Sequence, residues 1–285
     1  MDIGTAKPFQ TKGIQHHLID IIKPNQEFNA ANFKKIAVNA IKDIQKRKKL
    51  PFLTGGTGLY IKTVVENLEI PKVKPDWNLR RKLELKIKTK GLKNLYNELI
   101  EIDPEAAYIV DSQNPRRIIR ALEIAIKTKK PFSQQRKKGE PLFDVLEIGL
   151  NVPEEKLKEK IEKRTNEMIK NGLIKEVQSL IKNYNKNLPT FDAIGYREII
   201  DYLEGKISLE DAIEKIKKNT WHFAKRQITW FNHKSFGRQN LSDFTAQNFS
   251  KKNLSEFKKN REIHWVKNQE EAELLIKKFL KVKNI

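Results

Sequence analysis

Residues 50–60, Leu-Pro-Phe-Leu-Thr-Gly-Gly-Thr-Gly-Leu-Tyr, constrain the fold more than any other stretch. A short apolar run meets Gly55, Gly56 and Gly58, then passes into a helical pattern at Leu59, Ile61, Val64 and Val65. That order predicts a buried strand, a tight turn and a helix start. Glycine lets another group come close to the backbone. Free N–H groups at a helix start, with the dipole behind them, favour a phosphate or other anion. Thr57 adds a hydroxyl at the same place. Many α/β proteins use such a turn for packing alone, so two readings stand: an anion site or a packing device.

Around this stretch the chain alternates. A strand-like run, His16-His17-Leu18-Ile19-Asp20-Ile21-Ile22, precedes a helical pattern over 29–46 whose basic end, Lys46-Arg47-Lys48-Lys49, suits the C-terminal dipole. Helix followed by strand is the α/β pattern. Near residue 67 the character changes. Pro71 and Pro75 break the pattern, and helices are predicted at 76–89, 92–101, 104–110 and 114–128. The last is marked by Asn114 as N-cap and Pro115 at the first helical position. Residues 1–65 and 143–285 therefore read as two parts of an α/β core, and 66–142 as a helical insertion with a basic surface. Strand character returns at 143–152, with helices to about 170 and 184, a short helix at 198–203, and a long one from a Ser208–Asp211 capping box to about 231. Residues 232–260 read as a polar loop, 263–266 as a last strand and 269–281 as a last helix.

Charge points to a polyanion. Lys and Arg number 57 against 36 Asp and Glu, a net +21, and an imbalance this large favours nucleic acid. No apolar run of about 18 residues predicts a membrane helix. The first residues lack the apolar core of a secretory signal. With no cysteine there are no disulfides or thiolate metal sites. A cytoplasmic protein without a membrane partner, and a monomer, is the expectation.

No metal-ligand spacing, catalytic Ser-His-Asp arrangement or Gly-x-x-x-x-Gly-Lys-Ser/Thr loop occurs in these residues. What remains is cationic. Arg116, Arg117 and Arg120 form one cluster, Arg164 lies on the 153–170 helix, and Lys218, His222, Lys225 and Arg226 form a stripe with Trp221 and Trp230 nearby. Arginine forks bind phosphate and aromatic rings stack on unpaired bases. Each cluster also reads as a solvated helix face with its rings in the core.

Seven pieces in order resemble the tRNA dimethylallyltransferase (tRNA isopentenyltransferase) family. They are Met-Asp-Ile-Gly-Thr-Ala-Lys-Pro at 1–8, His-His-Leu-Ile-Asp at 16–20, Gly-Gly-Thr-Gly-Leu-Tyr at 55–60, Asp-Pro-Glu-Ala-Ala at 103–107, Asn-Pro-Arg-Arg-Ile-Ile-Arg-Ala-Leu-Glu at 114–123, Ala-Ile-Gly-Tyr-Arg at 193–197 and Ala-Lys-Arg-Gln-Ile-Thr-Trp-Phe at 224–231. The resemblance implies an α/β, P-loop-NTPase-like parallel-sheet core with a helical insertion domain gripping the anticodon stem-loop of tRNA. It implies transfer of a dimethylallyl group from dimethylallyl pyrophosphate to the N6 amine of the adenine 3′ of the anticodon, with Mg²⁺ as cofactor, the base being flipped into a channel.

By the same resemblance Thr57 and Arg164 are catalytic, Thr57 facing the adenosine and Arg164 the pyrophosphate. Arg80, Arg116, Arg117, Ile118, Ile119 and Arg120 fall in tRNA-binding positions, as do Asp192, Ala193, Ile194, Gly195, Tyr196 and Arg197. Asp192 stands where the family commonly has a basic residue. Gly55, Gly56, Lys225, Arg226 and Gln227 fall on the channel and pyrophosphate side. Family members carry a P-loop and a general-base aspartate upstream of the Met-Asp-Ile-Gly-Thr-Ala-Lys-Pro piece. The resemblance therefore implies a chain without its first strand, P-loop and protein metal ligand, truncated at the N-terminus, its own activity left open. Two other classes compete: a tRNA-binding protein without catalysis, and a nucleotide-dependent small-molecule kinase on the same core.

Overall fold

The computed structural model describes residues 1–8, 11–71, 73–135, 138–232, 237–239 and 262–283. They group into two compact units. Asn29–Leu53 and Leu59–Phe143 form a helical unit; Met1–Phe28, Thr54–Gly58 and Asp144–Ile285 form a sheet unit.

The helical unit is built on α1 (Ala30–Lys46), α2 (Gly58–Val65, its first residue counted with the sheet unit), α3 (Trp77–Lys90), α4 (Leu92–Ile102) and α5 (Pro115–Thr128). Their starts follow from capping chemistry. Asn29 Oδ1 accepts from the N–H groups of Ala31 and Asn32, Asp76 Oδ1 from Leu79 N–H, and Asn114 Oδ1 from Arg117 N–H. Between α4 and α5 the residues Pro104–Tyr108 form a 3₁₀ turn where the sequence predicted a helix over 104–110. Leu83, Leu95, Leu99, Ile118, Ile119 and Leu122 fill the core of α3, α4 and α5. Burying each contributes about 1.5–3 kcal/mol. On α5 the 3.6-residue period puts Ile118, Ile119 and Leu122 inside and Arg116 and Arg117 outside.

In the sheet unit β1 (Glu147–Leu150) leads to α6 (Glu154–Lys170), α7 (Leu173–Asn183), α8 (Tyr196–Leu203) and α9 (Leu209–Asn232). Then come β2 (Gly237–Gln239), β3 (Glu262–Val266) and α10 (Gln269–Lys283). The strands lie in the order β1-β3-β2, all parallel, with Ile148 opposite His264. A parallel sheet among helices makes this an α/β protein. Leu173, Val177, Phe191, Tyr196, Ile199, Ala212 and Ile216 form the second core, and Met1 and Ile3 pack against it.

One half-buried carboxylate ties the chain's first turn to that core. Glu176 on α7 accepts from Asp2 N–H and Ile3 N–H, both at 2.9 Å, and from the Tyr196 hydroxyl at 2.5 Å. Burial pushes its pKa up, but the Tyr196 hydroxyl and the backbone N–H groups outweigh it and hold the carboxyl below the ordinary value. Burial, and then Glu176 itself, raise the Tyr196 phenol. Tyr196→Phe is expected to cost about 1.5–3 kcal/mol at neutral pH, the contribution of a hydrogen bond to a charged group. Because the folded pKa of Glu176 is depressed, this stability is present above the unfolded value and lost as pH falls through the folded one. Denaturant curves at pH 7 and pH 3 check both statements: the gap between parent and variant is to close in acid.

Three further sequence expectations change. Residues 16–22 are not a strand: Leu18 and Asp20 have φ of 62° and 56°, left-handed values that break an extended run. Residues 50–54 join no sheet among the described residues, and Phe52 stays 66% exposed, because an apolar run becomes a buried strand only where a partner strand and a covering layer meet it. Within the predicted loop 232–260, Gly237–Gln239 pairs with β3, while residues 233–236 and 240–260 lie outside the described ones.

Candidate functional site

In the sheet unit the glycine turn lies against α9. A Cβ on Gly56 would stand 1.9 Å from Gln227 Nε2, and one on Gly58 would stand 2.0 Å from Trp230 Nε1. Gln227 could swing away; the Trp230 ring could not, so Gly58 is fixed by close approach. The Trp230 indole N–H is buried beside Gly58, and among the described residues it has no hydrogen-bond partner. Gly55 and Thr57 are exposed there. The structure thus brings Gly55, Gly56 and Thr57 together with Gln227.

One turn back along α9, Lys225 Nζ sits 4.8 Å from the centre of the Trp221 ring, and Arg226 lies 5.9 Å from that of Phe223. Both cations are exposed. The antiparallel packing of α6 on α9 keeps a constant register. Glu154 feels the charge of Lys225, Lys158 reaches the Trp221 ring, and Glu162 meets Lys217 Nζ at 3.5 Å. Arg164, two residues beyond Glu162, is exposed and stands about 15–20 Å along α6 from the level of Gln227, at about 1.5 Å per residue. The structure does not bring Arg164 to the turn.

Residues 192–197 are mostly inward. Gly195 and Tyr196 are buried, Ile194 is half-buried, and Asp192 and Ala193 are exposed. Arg197 Nη2 pairs with Asp192 Oδ1 at 2.8 Å. The acid standing where the family has a base thus faces the arginine five residues on. Tyr196 can act on a ligand only through Glu176 and the first turn it holds.

The helical unit carries the arginines. Glu123, 0% exposed, accepts from Arg80 Nε and Nη2 at 2.9 and 2.7 Å and from Arg120 Nη1 at 2.5 Å. Asp76 N–H donates to it at 2.6 Å, and Arg120 Nη2 donates to Val73 O at 2.9 Å. Burial pushes the Glu123 carboxyl up; Arg80, Asp76 N–H and Arg120 bring it to a net value below the ordinary one. Arg80 and Arg120 are therefore committed inside the protein, each with one edge toward water. Arg116 and Arg117 are exposed, and among the described residues no ion pair involves them. Ile118 and Ile119, predicted at the RNA, are core residues; they position the arginines rather than touch a ligand.

A family profile described as IPP transferase matches residues 1–234. The chain belongs to the IPP transferase family. Within this family the chain is 44% identical over 237 residues to a tRNA dimethylallyltransferase of Acetivibrio thermocellus, covering 81% of the chain and 76% of that relative. It is 47% identical over 244 residues to the protein of the same name in Caldanaerobacter subterraneus subsp. tengcongensis, covering 83% and 78%. Among solved structures, the full-length tRNA isopentenylpyrophosphate transferase of Bacillus halodurans matches with a TM-score of 0.62 at 33% identity, covering 99% of this chain and 83% of that one. A eukaryotic dimethylallyltransferase acting on tRNA matches at 0.64 with 30% identity, covering 80% and 59%.

For this member of the IPP transferase family, sequence reasoning passed over three features. Glu123 stood as the last residue of the 114–123 piece, yet it organises Arg80 and Arg120; the signal was an acid three residues after Arg120. Trp77 went unremarked, although it directly follows the Asp76 cap and precedes Arg80 by one turn. The burial of the Trp230 N–H, without a partner among the described residues, had no sequence signal, because only the packing of α9 isolates it.

Proposed function

We propose that this chain is a tRNA dimethylallyltransferase, joining the allylic carbon of dimethylallyl pyrophosphate to the N6 amine of the adenine 3′ of a tRNA anticodon. The observation behind the reading is the 44–47% identity over four fifths of the chain to relatives that bear that name. The nitrogen lone pair forms the new C–N bond while the C–O bond breaks. Its electron pair leaves on pyrophosphate, and the amine proton passes to a carboxylate base. Charge therefore develops on the departing oxygens. Lys225 and Arg226, with the Gln227 amide at the glycine turn, are groups of the sheet unit suited to receive it. Thr57 offers its hydroxyl to the adenosine. Arg116 and Arg117 are the exposed forks for RNA phosphate.

The described residues provide no all-protein cage for a Mg²⁺ ion. Among them no three His, Cys, Asp or Glu side chains stand close enough to hold a metal. No step is therefore routed through the ion. No helix among the described residues is long and apolar enough to cross a membrane, and a tRNA enzyme of the cytoplasm is the corresponding proposal.

The test incubates dimethylallyl pyrophosphate and an unmodified tRNA with the chain, and with the chain extended by the reading frame upstream of Met1. Mass spectrometry then looks for one added dimethylallyl group on the adenine 3′ of the anticodon. Transfer by neither protein overturns the reading.

A further inference from the structure

The first turn of α3 carries an indole that the motifs leave unused. Trp77 is 58% exposed, a large ring at the surface of a strongly basic protein. Arg80, one turn along the helix, holds its guanidinium carbon 5.2 Å from the ring centre. That arginine is not a mobile surface cation, since Glu123 grips it through two hydrogen bonds from the core of the unit. Lys74 and Arg81 are exposed on either side of Trp77 in the sequence, and neither forms an ion pair among the described residues. A ring steadied by a fixed cation, open to solvent and flanked by positive charge, is the arrangement that receives a nucleobase while its phosphates meet the neighbouring cations.

We propose that Trp77 is a stacking platform for one unpaired base of the RNA substrate, held in place by Arg80 and, through it, by Glu123. The proposal rests on the tRNA reading and adds to it a contact outside the motif residues. It also assigns Arg80 a new part. With its head bound to Glu123, Arg80 orients the ring and is a positioning residue for the base rather than a phosphate ligand. The platform is sequence-tolerant, because every base has a π-face, and it contributes affinity without adding to the salt dependence that phosphate contacts produce.

The experiment measures binding of an anticodon stem-loop hairpin to the full chain by fluorescence anisotropy across a salt series. Trp77→Ala is expected to weaken binding about five- to hundred-fold, with an unchanged slope of log K against log salt. Trp77→Phe, which keeps a ring, is expected to restore most of the affinity. A set of hairpins, each with one loop base removed, identifies the partner: one of them is to bind the parent as weakly as the intact hairpin binds Trp77→Ala, and to be indifferent to that substitution. If the parent binds and Trp77→Ala binds equally well, or if all the base-deleted hairpins remain sensitive to Trp77→Ala, the platform is overturned while the tRNA reading stands. If the parent does not bind the hairpin at all, the tRNA reading falls and the platform with it.

Discussion

Glu123→Ala is expected to destabilise the helical unit by about 3 kcal/mol, the largest single-residue effect outside the apolar core. The carboxylate is fully buried and accepts from Arg80, Arg120 and Asp76 N–H. It thereby ties the loop before α3 to α3 and α5. Breaking a buried pair by removing one partner costs about 3–5 kcal/mol, because the other partner is left charged and unpaired. The two arginines are 24% and 32% exposed, so water relieves part of that cost and the lower end applies. Glu123→Gln keeps the shape and one acceptor oxygen and is expected to lose less. The folded pKa of Glu123 lies below its unfolded value. Its contribution is thus present above the unfolded pKa and disappears as pH drops through the folded one. Hydrogen exchange of the amides of α3 and α5, in parent and variant at pH 7 and in acid, reads the change within this unit. Equal protection in the two proteins at pH 7 would mean that Glu123 is dispensable.

The same carboxylate marks how far the sequence could be read. Helix starts were legible because capping is local: Asn114 followed by Pro115 predicted α5 to within one residue. The last strand was legible too, because Ile263-His264-Trp265-Val266 is short, apolar and followed by a polar turn. Residues 50–54 are as short and as apolar and are not a strand, since pairing depends on a neighbour that composition does not name. The arginines divided for a similar reason. Arg116, Arg117 and Arg120 are alike in a sequence, yet a helix places position 120 one turn from Glu123 and positions 116 and 117 beyond its reach. Resemblance to a family supplied the reaction. It could not tell which of the family's cations this chain uses on itself, and Arg197, facing Asp192, is another such case.

The exposed pair is where RNA affinity should reside, and the double variant Arg116→Ala, Arg117→Ala is expected to bind an anticodon stem-loop at least about 100-fold more weakly at moderate salt. Hydrogen bonds to a charged group contribute about 1.5–3 kcal/mol each, so losing both forks exceeds the effect of either alone. Losing two phosphate contacts should also flatten the salt dependence by about 1.4–1.8 in the log–log slope. That separates this pair from a stacking ring, whose loss leaves the slope alone. A second sign comes from the free protein. Both residues occupy the first turn of α5, which has no acidic side chain to offset them. There the positive end of the helix dipole repels cations by about 0.3–1 kcal/mol each. The unbound double variant should therefore be slightly more stable than its parent, while its complex with RNA is much less so. Stability and affinity moving in opposite directions is the signature of charges placed for a ligand at the helix's expense. Were the variant instead to lose stability and keep its affinity, the pair would belong to the fold and the RNA contact would have to be sought elsewhere.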